Sequence, residues 1–206
     1  MITNNDQNKQ LPNELTSTFK ELQLLKHLRK AGITKSFGFS CAYLFQVIFC
    51  LIFENKNWFR TLESKKSTDF PAKDAVYRFL NQSNYSWRRF LTFFSADTIE
   101  KVTKLTNHER PKVLFLDDSS FDRNRSKAVE LLARCFDHAS QKMRFYKGFR
   151  MLTLGWSDGA TFIPVDFSLL SSKTSQINGI STKIDKRSSG YKRRHEALQS
   201  APNLFL

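Results

Sequence analysis

The stretch VLFLDDSSF, residues 113–121, decides the fold, because four apolar residues run directly into two carboxylates and two serines. A short apolar run bounded by polar residues predicts a β-strand, which here ends at Asp117 and Asp118. Carboxylates beside a core repel one another, and burying them is costly unless a positive charge neutralises them. The stretch therefore predicts a strand that presents acidic oxygens to a cation.

A divalent metal is the cation that this pattern favours. Mg²⁺ binds carboxylate and phosphate oxygens, and two such ions can flank a phosphodiester at its attacking and leaving oxygens. Asp117 and Asp118 are therefore candidate catalytic and metal-binding residues, although Asp-Asp-Ser-Ser also forms ordinary turns and helix caps. Because side chains alternate along a strand, only one of the two faces a given side, and Asp118, directly before Ser119, is slightly preferred.

A β-hairpin is predicted further along the chain. Strands at 147–156 and 161–169 flank a turn of Ser-Asp-Gly, in which Asp158 precedes a glycine. Pro164 lacks a backbone N–H and must lie at an edge or a bulge. Asp158 and Asp166 are expected to be turn and strand residues rather than ligands. Residues 126–136 fit a short helix and a loop equally well.

The chain before this stretch has helical character. Apolar residues recur at helical spacing over 13–30, the run 39–53 is almost wholly apolar, and further helices are predicted between 71 and 105. We therefore predict a disordered polar leader at 1–12, a helical region at 13–110 and a strand-containing region at 111–206.

The charge favours a polyanionic partner. The chain has 206 residues with 33 Lys and Arg against 19 Asp and Glu, a net charge of +14 that is spread over both regions. Each cation that neutralises a phosphate releases a condensed counterion, so such a surplus favours nucleic acid. The alternative is a basic protein without such a partner.

Two groups of basic residues are candidates for binding DNA. The first lies on predicted helices beside Tyr85 and Trp87, and it comprises Lys73, Arg78, Arg88 and Arg89. The second follows the hairpin where acids are scarce, and it comprises Lys183, Lys186, Arg187, Lys192, Arg193 and Arg194. The alternatives are a solvated helix face whose aromatic residues belong to the core, and a disordered basic loop.

Several classes of protein are disfavoured. The three cysteines have no zinc-site spacing, so reduced core thiols are expected. The first residues are polar and do not resemble a signal peptide. The longest apolar run, 41–53, is shorter than the roughly 20 residues that a membrane helix needs.

The order of these features resembles the insertion-sequence transposases of the DDE type, whose catalytic core is ribonuclease-H-like. Their first strand ends in a catalytic Asp near a Ser or Thr, and a hairpin with the pattern DG…P(V/L)D follows. That pattern corresponds here to Asp158, Gly159, Pro164, Val165 and Asp166. The helical segment 75–91 is similar to the family's DNA-binding region, and the resemblance covers most of residues 70–172.

The resemblance implies an α+β protein in which a helical DNA-binding region precedes the three-stranded start of a mixed, ribonuclease-H-like sheet. It implies phosphodiester hydrolysis and strand transfer with Mg²⁺ or Mn²⁺, with the first catalytic carboxylate on Asp117 or Asp118. The implied partner is double-stranded DNA carrying transposon terminal repeats, and a homodimer is left open. The implied location is the bacterial cytoplasm, at the nucleoid and away from membranes.

One departure from the family leads to a further expectation. The family core also needs a second Asp on a later strand and a Glu on a distant helix, and no residue here matches either one. We therefore expect an N-terminal fragment with an incomplete triad that does not transfer strands alone. The alternatives are a DNA-binding module that holds transposon ends or regulates the intact transposase, and a poorly folding remnant.

Overall fold

The computed structural model describes residues 7–55, 57–64, 71–107, 109–137 and 144–199. Within these ranges the chain forms seven helices and four strands, which confirms the α+β class. The elements in chain order are α1 (Gln7–Glu21), α2 (Leu24–Lys30), α3 (Cys41–Glu54), α4 (Trp58–Ser64), α5 (Lys73–Leu80), α6 (Trp87–Leu105), β1 (Val113–Asp122), β2 (Ala133–Phe136), β3 (Phe145–Ser157), β4 (Phe162–Leu170) and α7 (Ser189–Glu196).

The chain divides into two compact units, Met1–Phe94 and Ser95–Leu206, so the division falls inside α6. The first unit is helical, as predicted, and its core includes the fully buried side chains of Leu28, Leu44 and Phe79. These residues come from α2, α3 and α5, whose apolar faces are buried together. None of the helices in the described ranges is long and apolar enough to cross a membrane.

The start of the helical unit differs from the prediction. Helix α1 begins at Gln7, inside the range 1–12 that was predicted as a disordered leader. The single helix predicted over 13–30 is two helices, because Gln23 adopts a left-handed conformation with φ of 52° between α1 and α2. Helical spacing of apolar residues continues across such a break and does not reveal it.

The sheet of the second unit is organised around β3. Strand β3 pairs antiparallel with β1, β2 and β4, so the described sheet has four antiparallel strands rather than the three-stranded start of a mixed sheet. The additional strand is β2, which occupies the end of the segment predicted as helix or loop. Its four residues, ARCF, are too few to show a strand period.

Strand β1 is longer than predicted. It pairs with β3 over ten residues, from Val113 opposite Ser157 to Asp122 opposite Gly148. Asp117 and Asp118 therefore lie in the middle of the strand, not at its end, because the polar residues after them continue the ladder. Within the described sheet β1 is an edge strand, and its first four side chains are 40–65 % exposed.

The hairpin of β3 and β4 confirms the predicted one. The register shifts between Leu154 and Gly155, where Pro164 lies opposite Gly155, so the proline occupies a bulge as expected. Asp158 is buried in the turn and accepts hydrogen bonds from the backbone N–H groups of Thr161, at 2.7 Å, and Ala160, at 3.1 Å. These bonds, the one from Thr161 first, hold the pKa of the Asp158 carboxyl below its usual value.

Gly148 provides a test of the β1–β3 pairing. A Cβ atom at this position would lie 2.2 Å from the backbone oxygen of Phe121, which cannot withdraw without disturbing the ladder. We expect Gly148→Ala to lower the free energy of unfolding by about 1–3 kcal/mol through overpacking, as measured by urea denaturation. Gly179→Ala is the control, since nothing lies within 4 Å of the added atom. Equal stability of the two variants would contradict this account of the ladder.

Candidate active site

The two candidate carboxylates lie on opposite faces of the sheet. Asp117 is opposite Thr153 on β3, and Asp118 is opposite Leu152. Because adjacent residues of a strand point to opposite faces, the two side chains cannot converge on one cation. Each carboxylate is therefore a separate candidate ligand with its own surroundings.

Asp117 lies on an exposed face with Ser119. The hydroxyl of Ser119, two residues further along the same face, donates a hydrogen bond to Asp117 Oδ2. No cationic side chain of the described residues pairs with Asp117. Asp117 is thus available to a cation from solution, in an environment that does little to hold the ion.

Asp118 already holds a cation. Arg150 on β3 donates from Nε to Asp118 Oδ1 at 3.2 Å and from Nη2 to Asp118 Oδ2. The hydrogen bond to Asp118 is the main cause that raises the pKa of Arg150 above its usual value. Such a forked contact is the strongest geometry for a guanidinium and a carboxylate. Both side chains remain partly exposed, so the pair is accessible to ions in solution.

The ladder explains why these two residues meet. Arg150 is directly opposite Ser120, and Asp118 is two residues before Ser120 on the same face of β1. A diagonal neighbour at this spacing is within reach of a long side chain. No local sequence signal marks Arg150, because its pairing with a residue 32 positions away depends on the register.

The surroundings of Asp117 and Asp118 fit a divalent cation in part. Carboxylate oxygens are suitable donors for Mg²⁺, and Asp118 is arranged to hold positive charge. Across the ranges that the structure describes, however, no three His, Cys, Asp or Glu side chains converge as a metal site. Strand β1 carries Asp117 on one face and Asp118 and Asp122 on the other, and within the described residues it does not form a complete metal centre by itself.

The basic residues of the helical unit lie on or beside a packed aromatic cluster. Trp87 and Tyr85 pack against Phe79, with ring centroids 5.2 and 5.9 Å apart, so these aromatic residues belong to the core. Arg78 and Arg89 are exposed on α5 and α6. Of the remaining two predicted residues, Lys73 is exposed at the start of α5, and Arg88 is partly buried on α6.

The basic residues at 183–194 fall into two groups, one with partners inside the protein and one exposed to solvent. Arg193 donates to Glu196 at 2.8 Å and to the backbone oxygen of Phe167, and Arg194 donates to Glu130 at 2.7 Å. These two arginines thus join α7 to the sheet and to the loop before β2. The other members of this group are exposed: Lys183, Lys186, Arg187 and Lys192.

Comparison with known proteins identifies the family. The model of the family described as DDE superfamily endonuclease matches residues 63–201, which include all four strands and α7. Neither the curated proteins nor the solved structures contain a significant match. The family match spans more than half of the chain and includes the strand that carries Asp117 and Asp118, and the chain therefore belongs to the DDE superfamily of endonucleases.

Proposed function

We propose that this chain acts in DNA transposition, as part of a transposase that hydrolyses phosphodiester bonds and transfers DNA strands with Mg²⁺ or Mn²⁺. The observation that carries the proposal is the forked contact of Asp118 with Arg150 on β1 and β3, inside the region that matches the family. A partly exposed carboxylate can supply oxygen ligands to the divalent ion of a phosphoryl-transfer site, and Arg150 adds a cation beside it that could bind a phosphate.

Enzymes of the DDE superfamily use divalent metal ions. The bound metal would activate the attacking oxygen and stabilise the leaving oxygen of the phosphodiester. In our proposal Asp118 supplies carboxylate oxygens to the ion. Arg150 then becomes available to a substrate phosphate, whose negative charge a guanidinium binds through two hydrogen bonds.

The proposed partner is double-stranded DNA carrying transposon terminal repeats. Support comes from the net charge of +14 and from the exposed cations Arg78 and Arg89 on α5 and α6. Because Tyr85 and Trp87 are packed in the core, we propose that these helices contact the phosphate backbone and do not stack on bases.

A DNA-binding role without catalysis is the second candidate function. The same contact that supports the first proposal favours it, because Arg150 already neutralises Asp118 within the protein. In this role the chain would hold transposon ends or regulate an intact transposase. The expectation that the chain alone does not transfer strands stays a prediction.

Binding of Mn²⁺ tests the assignment of Asp118 without requiring turnover. We expect Asp118→Asn to weaken Mn²⁺ binding about tenfold or more, because the variant loses a charged oxygen ligand. Asp117→Asn should have a smaller effect. Electron paramagnetic resonance of free Mn²⁺ measures the affinity, and Asp166→Asn on β4 is the control. Wild-type affinity in the Asp118 variant would refute its role as a ligand.

The contact of Arg150 with Asp118 leads to a second prediction, in which a substitution makes Mn²⁺ binding tighter instead of weaker. Arg150→Gln removes the internal cation that competes for Asp118, so Mn²⁺ should bind several-fold more tightly than in the wild type. Arg29→Gln, which removes one exposed charge from α2, controls for the change in net charge. If Arg150→Gln binds Mn²⁺ no better than this control, Arg150 and Mn²⁺ do not compete for the carboxylate of Asp118.

Removal of exposed cations tests the proposed DNA contact of the helical unit. We expect Arg78→Gln combined with Arg89→Gln to weaken binding of a short duplex several-fold, because two phosphate contacts are lost. Fluorescence anisotropy at fixed salt measures the affinity. The control combines Lys20→Gln with Lys26→Gln, which are exposed on or near other helices and remove the same charge. Equal losses in the two double variants would mean that only net charge matters.

A further inference from the structure

One end of the sheet carries three cations side by side. Arg134 on β2 is directly opposite Lys147 on β3. On the other side of β3, the backbone N–H of Arg123 donates to the oxygen of Lys147 at 2.7 Å, which extends the β1 ladder by one residue. Residues directly opposite one another share a face, so Arg123, Lys147 and Arg134 form a transverse row on one face of the sheet, which we call the basic row.

The basic row is electrostatically unfavourable as it stands. Neighbouring strands are about 4.8 Å apart, and like charges directly opposite each other destabilise a sheet. Within the described residues no carboxylate lies within ion-pair distance of the row. The acids nearest in sequence are engaged elsewhere: Glu130 pairs with Arg194, Asp137 pairs with Arg144, and Asp122 accepts hydrogen bonds from the turn after β1.

The sequence around the row adds no compensating charge. Residues 138–143 connect β2 to β3 and lie outside the described ranges, and their sequence, HASQKM, contains a lysine and no acid. The turn after β1 contributes Arg125 and Lys127, both exposed. An anion from outside the chain is therefore the natural counterpart of the row.

The two arginines of the row are held in place before any anion binds. The guanidinium of Arg123 lies over the ring of Phe121 at 4.3 Å, and that of Arg134 lies over Phe145 at 4.4 Å. Stacking on an aromatic face leaves the N–H groups at the edge of a guanidinium available to oxygen acceptors. The backbone N–H of Lys147 donates to the side chain of Asn124 at 2.8 Å, which holds the main chain at the middle of the row.

We propose that the basic row binds a backbone phosphate of a nucleic acid. Two stacked guanidinium groups and the ammonium group of Lys147 on one face match the several oxygens of a phosphate, and the phosphate relieves the repulsion between the three cations. The row lies on the same face as Asp117, six residues along β1, a distance of about 20 Å at the rise of a strand. The proposal that the row binds an anion rests on the register of the strands alone. The proposal that this anion belongs to DNA also rests on the proposed function.

The first experiment measures the salt dependence of DNA binding. Fluorescence anisotropy with a short duplex, in EDTA and at increasing KCl, gives the slope of log affinity against log salt. We expect the triple variant Arg123→Gln, Arg134→Gln, Lys147→Gln to reduce the magnitude of the slope by about 1, because the row contacts one phosphate and each lost phosphate contact lowers the magnitude by about 0.9. The control, Lys20→Gln, Lys26→Gln, Lys104→Gln, removes the same charge and should retain the wild-type slope. Equal slopes in both variants overturn the DNA assignment.

The second experiment uses inorganic phosphate and does not depend on DNA or on a folded triple variant. The melting temperature of the wild type should rise in phosphate relative to chloride at equal ionic strength, since phosphate binds the folded row. In Lys147→Gln this rise should be smaller, because only the general stabilisation by phosphate is left, and stability at low salt should be equal to or above that of the wild type. A rise in Lys147→Gln as large as that in the wild type overturns the row as an anion site. No divalent metal is present in either experiment. A negative result would therefore not bear on Asp118 as a metal ligand, which the Mn²⁺ experiments test separately.

Discussion

The antiparallel pairing of β1 with β3 is the constraint on which the candidate site and the basic row both depend. Its register assigns Asp117 to one face and Asp118 to the other, and it brings Arg150 diagonally beside Asp118. Since a shift of one residue would move every side chain of β1 to the opposite face, the site exists only in this register. The close approach of Gly148 to the backbone of Phe121 shows how tightly the two strands meet.

The positive charge of the chain has more than one physical role. Arg193 and Arg194 are committed to carboxylates and backbone oxygens, and they fasten α7 to the rest of its unit. Arg150 neutralises a carboxylate in the sheet. The cations of the basic row, in contrast, oppose one another without an acid between them. Net charge therefore indicates the kind of partner, but only the pairing of each cation indicates where a partner could bind.

The sequence predicted the elements that have a clear local signal. The apolar run of β1, the Asp-Gly turn, the bulge at Pro164 and the apolar helix α3 all occur where their residues indicated. Strand β2 and helix α7 were not predicted, because one is short and the other is rich in polar residues. The contact of Arg150 with Asp118 depends on strand register, which no local pattern encodes.

The outer edge of β1 has a consequence for the behaviour of the protein in concentrated solution. Within the described sheet this edge has no neighbouring strand, and Val113, Leu114, Phe115 and Leu116 are 40–65 % exposed beside it. Unpaired backbone groups next to apolar side chains are a template on which a strand from another molecule can add. The net charge of +14 opposes such encounters at long range, and added salt weakens that repulsion. The tendency of this chain to aggregate is thus set by the balance between the exposed edge strand β1, which favours association, and the net charge, which opposes it. Higher ionic strength shifts this balance toward aggregation.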